Sequence, residues 1–391
     1  MKRSVLILPS WYPSPESPIN GIFIHDQAVA LSRVYDVIVL VPQVMGLRKV
    51  LEQGVQPRWQ LEQRDGLKIC RTREIMLFPR ALPGIYYRKY IRAAQRGFEK
   101  AVTVWGKPNL IHAHVVLPAG WAAVRLGKQH AIPVVLTEHS SPFSVHLATE
   151  RQRRLVADTL TRVDRVVAVS PALVKQIHAF QATNIAVIGN LIRTEFFVPP
   201  TSDHDEALGR RARFLFVGLL TQQKGLVYLL KAVQMLVQRG STAFELVIGG
   251  DGPDRAVLER AACDLGIADR CRFLGLLTPG QVRDWMQWCD VFVLPSVHET
   301  FGIVLGEAMA CGKPVLATRC GGAEFVVTPE TGVLVNKADP AALADAMDGF
   351  MRGQFRFDPR LVRQSVVERF GEEAFLRNVM TLYEQVWSNT R

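Results

Sequence analysis

Apolar residues in this chain gather in short continuous runs more than in strict alternation. In the first half the runs are SVLILP (4–9), VIVLVP (37–42), LIHAH (110–114), PVVLTEH (133–139), RVVAVS (165–170) and IAVIGN (185–190). In the second half they are RFLFVG (213–218), FELVIGG (244–250), CRFLG (271–275), VFVLPS (291–296), PVLAT (314–318) and GVLV (332–335). Runs of this kind suit strands buried on both faces of a parallel sheet. Helical segments lie between them, so strand–helix alternation occurs twice and predicts two doubly wound α/β domains of Rossmann-like type.

The segment VPPTSDHDEALGRRAR (198–213) holds a Pro-Pro pair and no apolar period, and it reads as the linker. The expected domains are therefore 1–197 and 198–370. A terminal helix in 371–391, from the spacing of GEEAFLRNVMTLYEQVW, is expected to pack back on the first domain. A second amphipathic helix is expected over GIYYRKYIRAAQRGFEKAVTVW (84–105). Tyr87, Ile91, Ala94, Phe98, Ala101 and Trp105 share one face, and Arg88, Arg92 and Arg96 form a basic ridge on another.

At 391 residues the chain exceeds what one core usually organises, and 48% hydrophobic with 21% charged residues is an ordinary globular balance. Six cysteines without a C-x-x-C pair argue against a disulfide framework or structural zinc. The start MKRSVLILPSWYP is too short in apolar residues for a signal-peptide core, and no run approaches a bilayer span, so a cytoplasmic protein is expected. The net charge of +11 is uneven. Residues 1–195 carry 26 Lys and Arg against 13 Asp and Glu, and the remainder 21 against 23. That asymmetry points to an anionic partner of the first half. No zinc-finger, RRM-like or homeodomain-like pattern supports nucleic acid, so an anionic membrane surface, met peripherally, is the expected partner.

Polar and glycine residues follow the runs: Pro-Ser-Trp, His-Ala-His, Thr-Glu-His, Val-Gly, Gly-Gly-Asp-Gly-Pro and Pro-Ser. In open parallel sheets ligands bind beyond the carboxyl ends of strands. The richest stretch is HETFGIVLGEAMACGKPV (298–315), with Glu299 and Glu307 eight residues apart in apolar surroundings. An unpartnered carboxylate there would be costly. Thr300, Phe301, Gly302 and Ile303 would open a helix whose free N–H groups attract a diphosphate. Lys224, in TQQKG, follows another strand end.

VGLLTQQKG, IGGDGP, FVLPSVHETFGIVLGEAMACGKPVLAT and CGGAE resemble the donor domain of retaining glycosyltransferases of family 4. NGIFIHDQAVAL, IHAHVVLPAGW, TEHSSPF and VIGN continue the resemblance through the first half. It implies a GT-B fold, two Rossmann-like domains facing across a cleft, the first binding acceptor and the second a nucleotide-sugar. By this resemblance Glu299 meets donor-sugar hydroxyls, Glu307 the ribose, and Lys224 the leaving diphosphate. Gly21, Gly218, Gly250 and Gly252 let backbone approach the donor; at Gly21, Gly250 and Gly252 a plain structural turn is an equal reading. His139 is placed beside the reacting sugar and His114 near it, where it could equally orient a loop. The reaction implied is transfer of a hexosyl-type sugar from a UDP- or GDP-sugar to a glycan or lipid-diphosphate-linked acceptor with retention, in surface polysaccharide or glycolipid synthesis. No metal and no cofactor beyond the nucleotide-sugar substrate is expected. One departure stands out: the family's arginine after Val-Gly is Leu219. A nucleotide-sugar 2-epimerase, or a nucleotide-sugar-binding protein without turnover, is the alternative.

Overall fold

The computed structural model describes residues 2–15, 17–47, 50–51, 57–76, 83–201 and 211–389. They divide into two units, one of residues 1–169, 174–188 and 376–391, the other of 170–173 and 189–375.

The first unit is built on an eight-stranded sheet. Its strands are β1 (Ser4–Pro9), β2 (Asp36–Gly46), β3 (Trp59–Arg64), β4 (Leu67–Met76), β5 (Leu110–His114), β6 (Val134–Glu138), β7 (Arg165–Ala168) and β8 (Ile185–Val187). Their order is β3-β4-β2-β1-β5-β6-β7-β8, and only the β3–β4 pairing is antiparallel. The helices are α1 (Ile22–Ser32), α2 (Pro83–Trp105), α3 (Trp121–His130), α4 (Glu150–Arg162) and α5 (Pro171–Phe180). Central strands are buried throughout, which is why they read as unbroken apolar runs. The β3–β4 hairpin lies outside those runs. Its strands read WQLEQR and LKICRTREIM, and they turn at Asp65-Gly66, both at positive φ, the backbone a two-residue hairpin requires. One face of β4 lies on α2: Thr72 Oγ1 donates to Ala93 O, and Lys89 and Arg96 both reach the Glu74 carboxylate.

The second unit holds six parallel strands: β9 (Ala212–Val217), β10 (Phe244–Gly249), β11 (Cys271–Gly275), β12 (Val291–Leu294), β13 (Val315–Arg319) and β14 (Gly332–Asn336). They lie in the order β11-β10-β9-β12-β13-β14. This is the doubly wound arrangement, and it places a topological switch point between β9 and β12. Its helices are α6 (Leu226–Gln238), α7 (Arg255–Asp264), α8 (Pro279–Trp288), α9 (Ile303–Ala310), α10 (Ala323–Val326), α11 (Pro340–Met351) and α12 (Pro359–Phe370). The last helix, α13 (Glu372–Asn389), enters the first unit from Leu376 onward. There Tyr383, Glu384 and Trp387 bond to His112, Arg3 and the Asn109 carbonyl.

Most of the expected linker, residues 202–210, lies outside the described residues. The unit boundary falls at Gly189, earlier than the expected 197/198, because α12 holds the intervening chain. Ile192 N donates to Phe370 O, and the Arg363 guanidinium donates to the carbonyls of Thr194 and Phe197. The second unit also runs to Phe375 and takes in Ser170–Leu173, beyond the expected limits. Among the described residues no helix is long and apolar enough to cross a membrane.

Candidate functional site

Each unit carries its own cluster of candidate residues at strand ends. In the second unit the loops leaving β9 and β12 meet at the switch point. Lys224 Nζ lies 2.5 Å from Glu299 Oε1, and the Ser296 hydroxyl donates to the same oxygen at 2.9 Å. Ser296 is itself fixed, since its carbonyl accepts the Thr318 hydroxyl at 2.5 Å. Glu299 is 7% exposed and Ser296 fully buried, so the carboxylate has exchanged water for one ammonium and one hydroxyl. The pairing depends on close backbone approach. A Cβ on Gly225, which sits at φ +68°, would stand 2.1 Å from the Pro295 carbonyl oxygen.

Similar packing explains the other glycines. A Cβ on Gly250 (φ +119°) would lie 1.9 Å from the Gly218 oxygen, and one on Gly252 2.4 Å from the Leu220 oxygen. Leu220 N donates to Asp251 O, which ties the two loops together. Both glycines therefore have a packing role. Gly218 approaches the Phe216 ring and the Lys224 stem more loosely. Gly302 caps α9 at φ 87° and ψ 60°, a left-handed conformation that favours glycine. Gly322 presses on the backbone of Thr300 and Phe301, while Glu324 Oε2 accepts the N–H groups of Cys320 and Gly321. The CGGAE segment is thus a brace behind the Glu299 loop.

Phe301 does not present its ring to a ligand: it is 1% exposed and packs against Phe325 and Phe370. Only its backbone can serve a donor. Thr300 is buried, and Ile303 is half-buried at the start of α9. Glu307 is half-buried one turn further along. Burial, and then the Glu307 carboxylate, push the Cys311 thiol up to about 12. Leu219, in the expected arginine position, is 56% exposed. The Arg193 guanidinium stacks on Phe196.

In the first unit the switch point lies between β1 and β5; His114 ends β5, His139 follows β6, and Gly21 closes the loop between β1 and α1. His114 Nδ1 and His139 Nε2 share a hydrogen bond of 3.0 Å, with the rings nearly parallel. His112 stacks on His114 and bonds to Tyr383 and Thr137. Burial drives the His112 imidazole down from 6.5 to about 3 and the His114 imidazole in the same direction. Both are therefore neutral at physiological pH. His114 Nε2 is buried without a hydrogen-bond partner.

Glu138, the carboxylate of the Thr-Glu-His strand end, organises this cluster. Its Oε1 accepts from the N–H groups of His139 (2.8 Å) and Ser140 (2.7 Å), and its Oε2 from Val116 (2.7 Å). One carboxylate thus ties the loop after His114 to the loop of His139. Phe23 on α1 packs against the His139 ring. Gly21, at φ 72°, is required structurally, because its Cβ would stand 2.5 Å from the Trp11 carbonyl oxygen. Arg88, Arg92 and Arg96 are all exposed on α2, and Arg96 also lies 2.6 Å from the Glu74 carboxylate, a buried charge of β4 that needs a cation. Among the described residues no group of three or more His, Cys, Asp or Glu is gathered as metal ligands would be.

Comparison with known proteins gives the family and the fold. Residues 21–196 match the model of glycosyltransferase family 4, and residues 211–352 match that of glycosyl transferases group 1. A Bacillus subtilis protein ascribed to teichuronic acid biosynthesis, the glycosyltransferase TuaC, is 28% identical over 90% of both chains. Sucrose-phosphate synthase from Thermosynechococcus elongatus superposes with a TM-score of 0.80 at 22% identity, covering 99% of this chain and all of that one. Anabaena HepE, solved in complex with UDP and glucose, gives 0.74 at 18% identity, covering 98% of this chain and all of that one. The two parallel-sheet units have the GT-B architecture of these structures.

Replacing Glu138 by Gln sets an NH2 group against one set of backbone N–H donors. Glu138→Gln should lower unfolding stability by about 1–3 kcal/mol in urea titrations. An unchanged midpoint would contradict the organising role. For the histidines, the unfolded chain takes up protons near pH 6.5 while folded His112 stays neutral to about pH 3. Stability is thus complete above 6.5 and falls as pH drops, by about 2 kcal/mol at pH 5 from His112 alone. The imidazole NMR resonances of His112 and His114 should stay unshifted from pH 7.5 to about 5; titration near 6.5 would contradict this.

Proposed function

Since this chain belongs to glycosyltransferase family 4, we propose that it moves a sugar from a UDP- or GDP-sugar to a glycan or lipid-linked acceptor, with retention at the anomeric carbon. The observation that carries this reading is the Lys224–Glu299 pair at the β9/β12 switch point. There a cation and the amino end of α9 can meet a diphosphate, and a carboxylate can accept sugar hydroxyls. Glu307, one turn along α9, takes the ribose hydroxyls.

When the glycosidic bond breaks, negative charge builds on the leaving phosphate, and Lys224 stabilises it. Departing phosphate on the same face receives the acceptor's proton, so no enzyme nucleophile is needed for retention. His139 orients the transferred sugar, with its ring seated by His114 and Phe23 and its loop by Glu138. The diphosphate charge is met by Lys224 and the helix end, and the mechanism calls on no metal. TuaC and HepE support a place in polysaccharide or glycolipid synthesis and a nucleotide-sugar donor. A cytoplasmic protein resting on an anionic membrane face fits the basic first half and the exposed Arg88 and Arg92. Leu219 favours one second reading, nucleotide-sugar binding without turnover.

Purified protein should consume one donor from a panel of UDP-, GDP- and ADP-sugars, faster with a lipid-linked acceptor. By NMR the product should keep the donor's anomeric configuration. Lys224→Ala should lower turnover about 100-fold or more, and Glu307→Ala should also lower it. Consumption without acceptor and with an isomerised sugar would instead identify an epimerase, and tight binding with no turnover a binding protein.

A further inference from the structure

A cavity of about 500 Å³ opens on the face of the β2–β4–β3 sheet edge opposite α2. That volume is within the range of small-molecule sites, about 300–1,000 Å³. Side chains alternate along a strand, so Cys70, Thr72 and Glu74 of β4 face α2, and Ile69, Arg71 and Arg73 face the cavity. Gln43 of β2 and Arg64 of β3 join them, and Tyr12 and Ile22 close the other side. A sheet of this kind is usually covered by helices on both faces. Among the described residues, three arginines and one carboxylate, Glu62, line the cavity here, and Arg64 also pairs with Asp65 at the hairpin turn.

Arg71 carries the argument. Its side chain is only 11% exposed, and its Nε donates to Glu62 Oε1 at 3.1 Å. Its guanidinium lies over the Tyr12 ring, 5.6 Å from the centroid. Its Nη1 is buried with no hydrogen-bond partner. Leaving a buried charged donor unsatisfied is expensive, and a planar guanidinium is best satisfied by a carboxylate or phosphate. The opposite wall is held in place independently. Tyr12 Oη bonds His25 Nδ1 at 2.7 Å, and His25 Nε2 bonds Asp65 at the hairpin turn. Burial pushes the Tyr12 phenol up, so it remains protonated.

The cavity adjoins the His139 cluster. Ile22 lines it, and the next residue, Phe23, packs on the His139 ring. Ser10, where the Tyr12 loop begins, bonds to the His114 carbonyl and accepts from Ala119 N. Prolines 13, 15 and 18 supply apolar surface for a sugar ring, and Gln43 supplies an amide for hydroxyls. We propose that this cavity is an acceptor subsite for an acidic saccharide, whose anionic group is held by Arg71 with Arg73. The assignment rests on the glycosyltransferase reading for the word acceptor, and its test does not require turnover.

Binding to the full chain is measured by calorimetry at low salt with three probes: digalacturonate, galactose 6-phosphate and neutral galactobiose. At least one acidic probe should bind about tenfold or more tightly than galactobiose. Preference for digalacturonate assigns a carboxylate and preference for the phosphosugar a phosphate; either supports the site. Arg71→Gln should remove the preference, and Arg73→Gln, at a less buried position, should weaken it should Arg71→Gln fold poorly. Equal affinity for all three probes, or a preference unchanged in both variants, overturns the proposal. If the acidic preference holds but no nucleotide-sugar is consumed, the saccharide site stands and the transferase reading falls.

Discussion

The ion pair between Lys224 and Glu299 is the constraint around which the second unit is arranged. It brings together two loops that the doubly wound topology parts to either side of a switch point. A mostly buried carboxylate tolerates this position only with a cation and a hydroxyl beside it. That need explains Ser296, fastened by Thr318, and it explains Gly225, where any side chain would collide with Pro295. The loops of Gly218, Gly250 and Gly252 are locked behind Lys224, and Gly322 with Glu324 braces the Glu299 side. A donor diphosphate would compete with Glu299 for the lysine, in a site whose geometry is already set.

The first unit solves a related problem with a different carboxylate. Glu138 accepts three backbone N–H groups from two loops, and so sets the relative position of the chain after His114 and the chain bearing His139. The stacked imidazoles of His112 and His114, both neutral, lie beside His139. Both units therefore use a carboxylate just beyond or at the end of a strand to hold adjoining loops. In one case its partner is a side-chain cation, in the other the backbone itself.

Much of this was legible in the order of residues, for a physical reason. Strands buried on both faces must be apolar throughout, as the central ones are, and twelve of the strands stand out as runs, the partly exposed β8, β11 and β14 among them. The β3–β4 hairpin was missed because it has a solvated side, and its signal was alternation with an Asp-Gly turn. Lys224 and Glu299 were visible as charges in apolar, glycine-rich surroundings. Their pairing across 75 residues was not, since it depends on which strands lie side by side. The same holds for Arg96, exposed in line with Arg88 and Arg92, whose pairing with Glu74 depends on β4 lying against α2. Gly250 and Gly252 show the limit most clearly. Their sequence suits a ligand-binding turn, and the close approach to Gly218 and Leu220 adds a packing reason that only the fold reveals.

The claim that Lys224 and Glu299 divide the grip on a nucleotide-sugar is tested most directly by equilibrium affinities for the mono-, di- and sugar-diphosphate forms of uridine and guanosine. For the base the protein prefers, Lys224→Met should weaken the diphosphate about tenfold while leaving the monophosphate unchanged. Glu299→Gln should leave the diphosphate unweakened and remove the extra affinity contributed by the sugar. Variants that bind all three forms as the parent does would contradict the account.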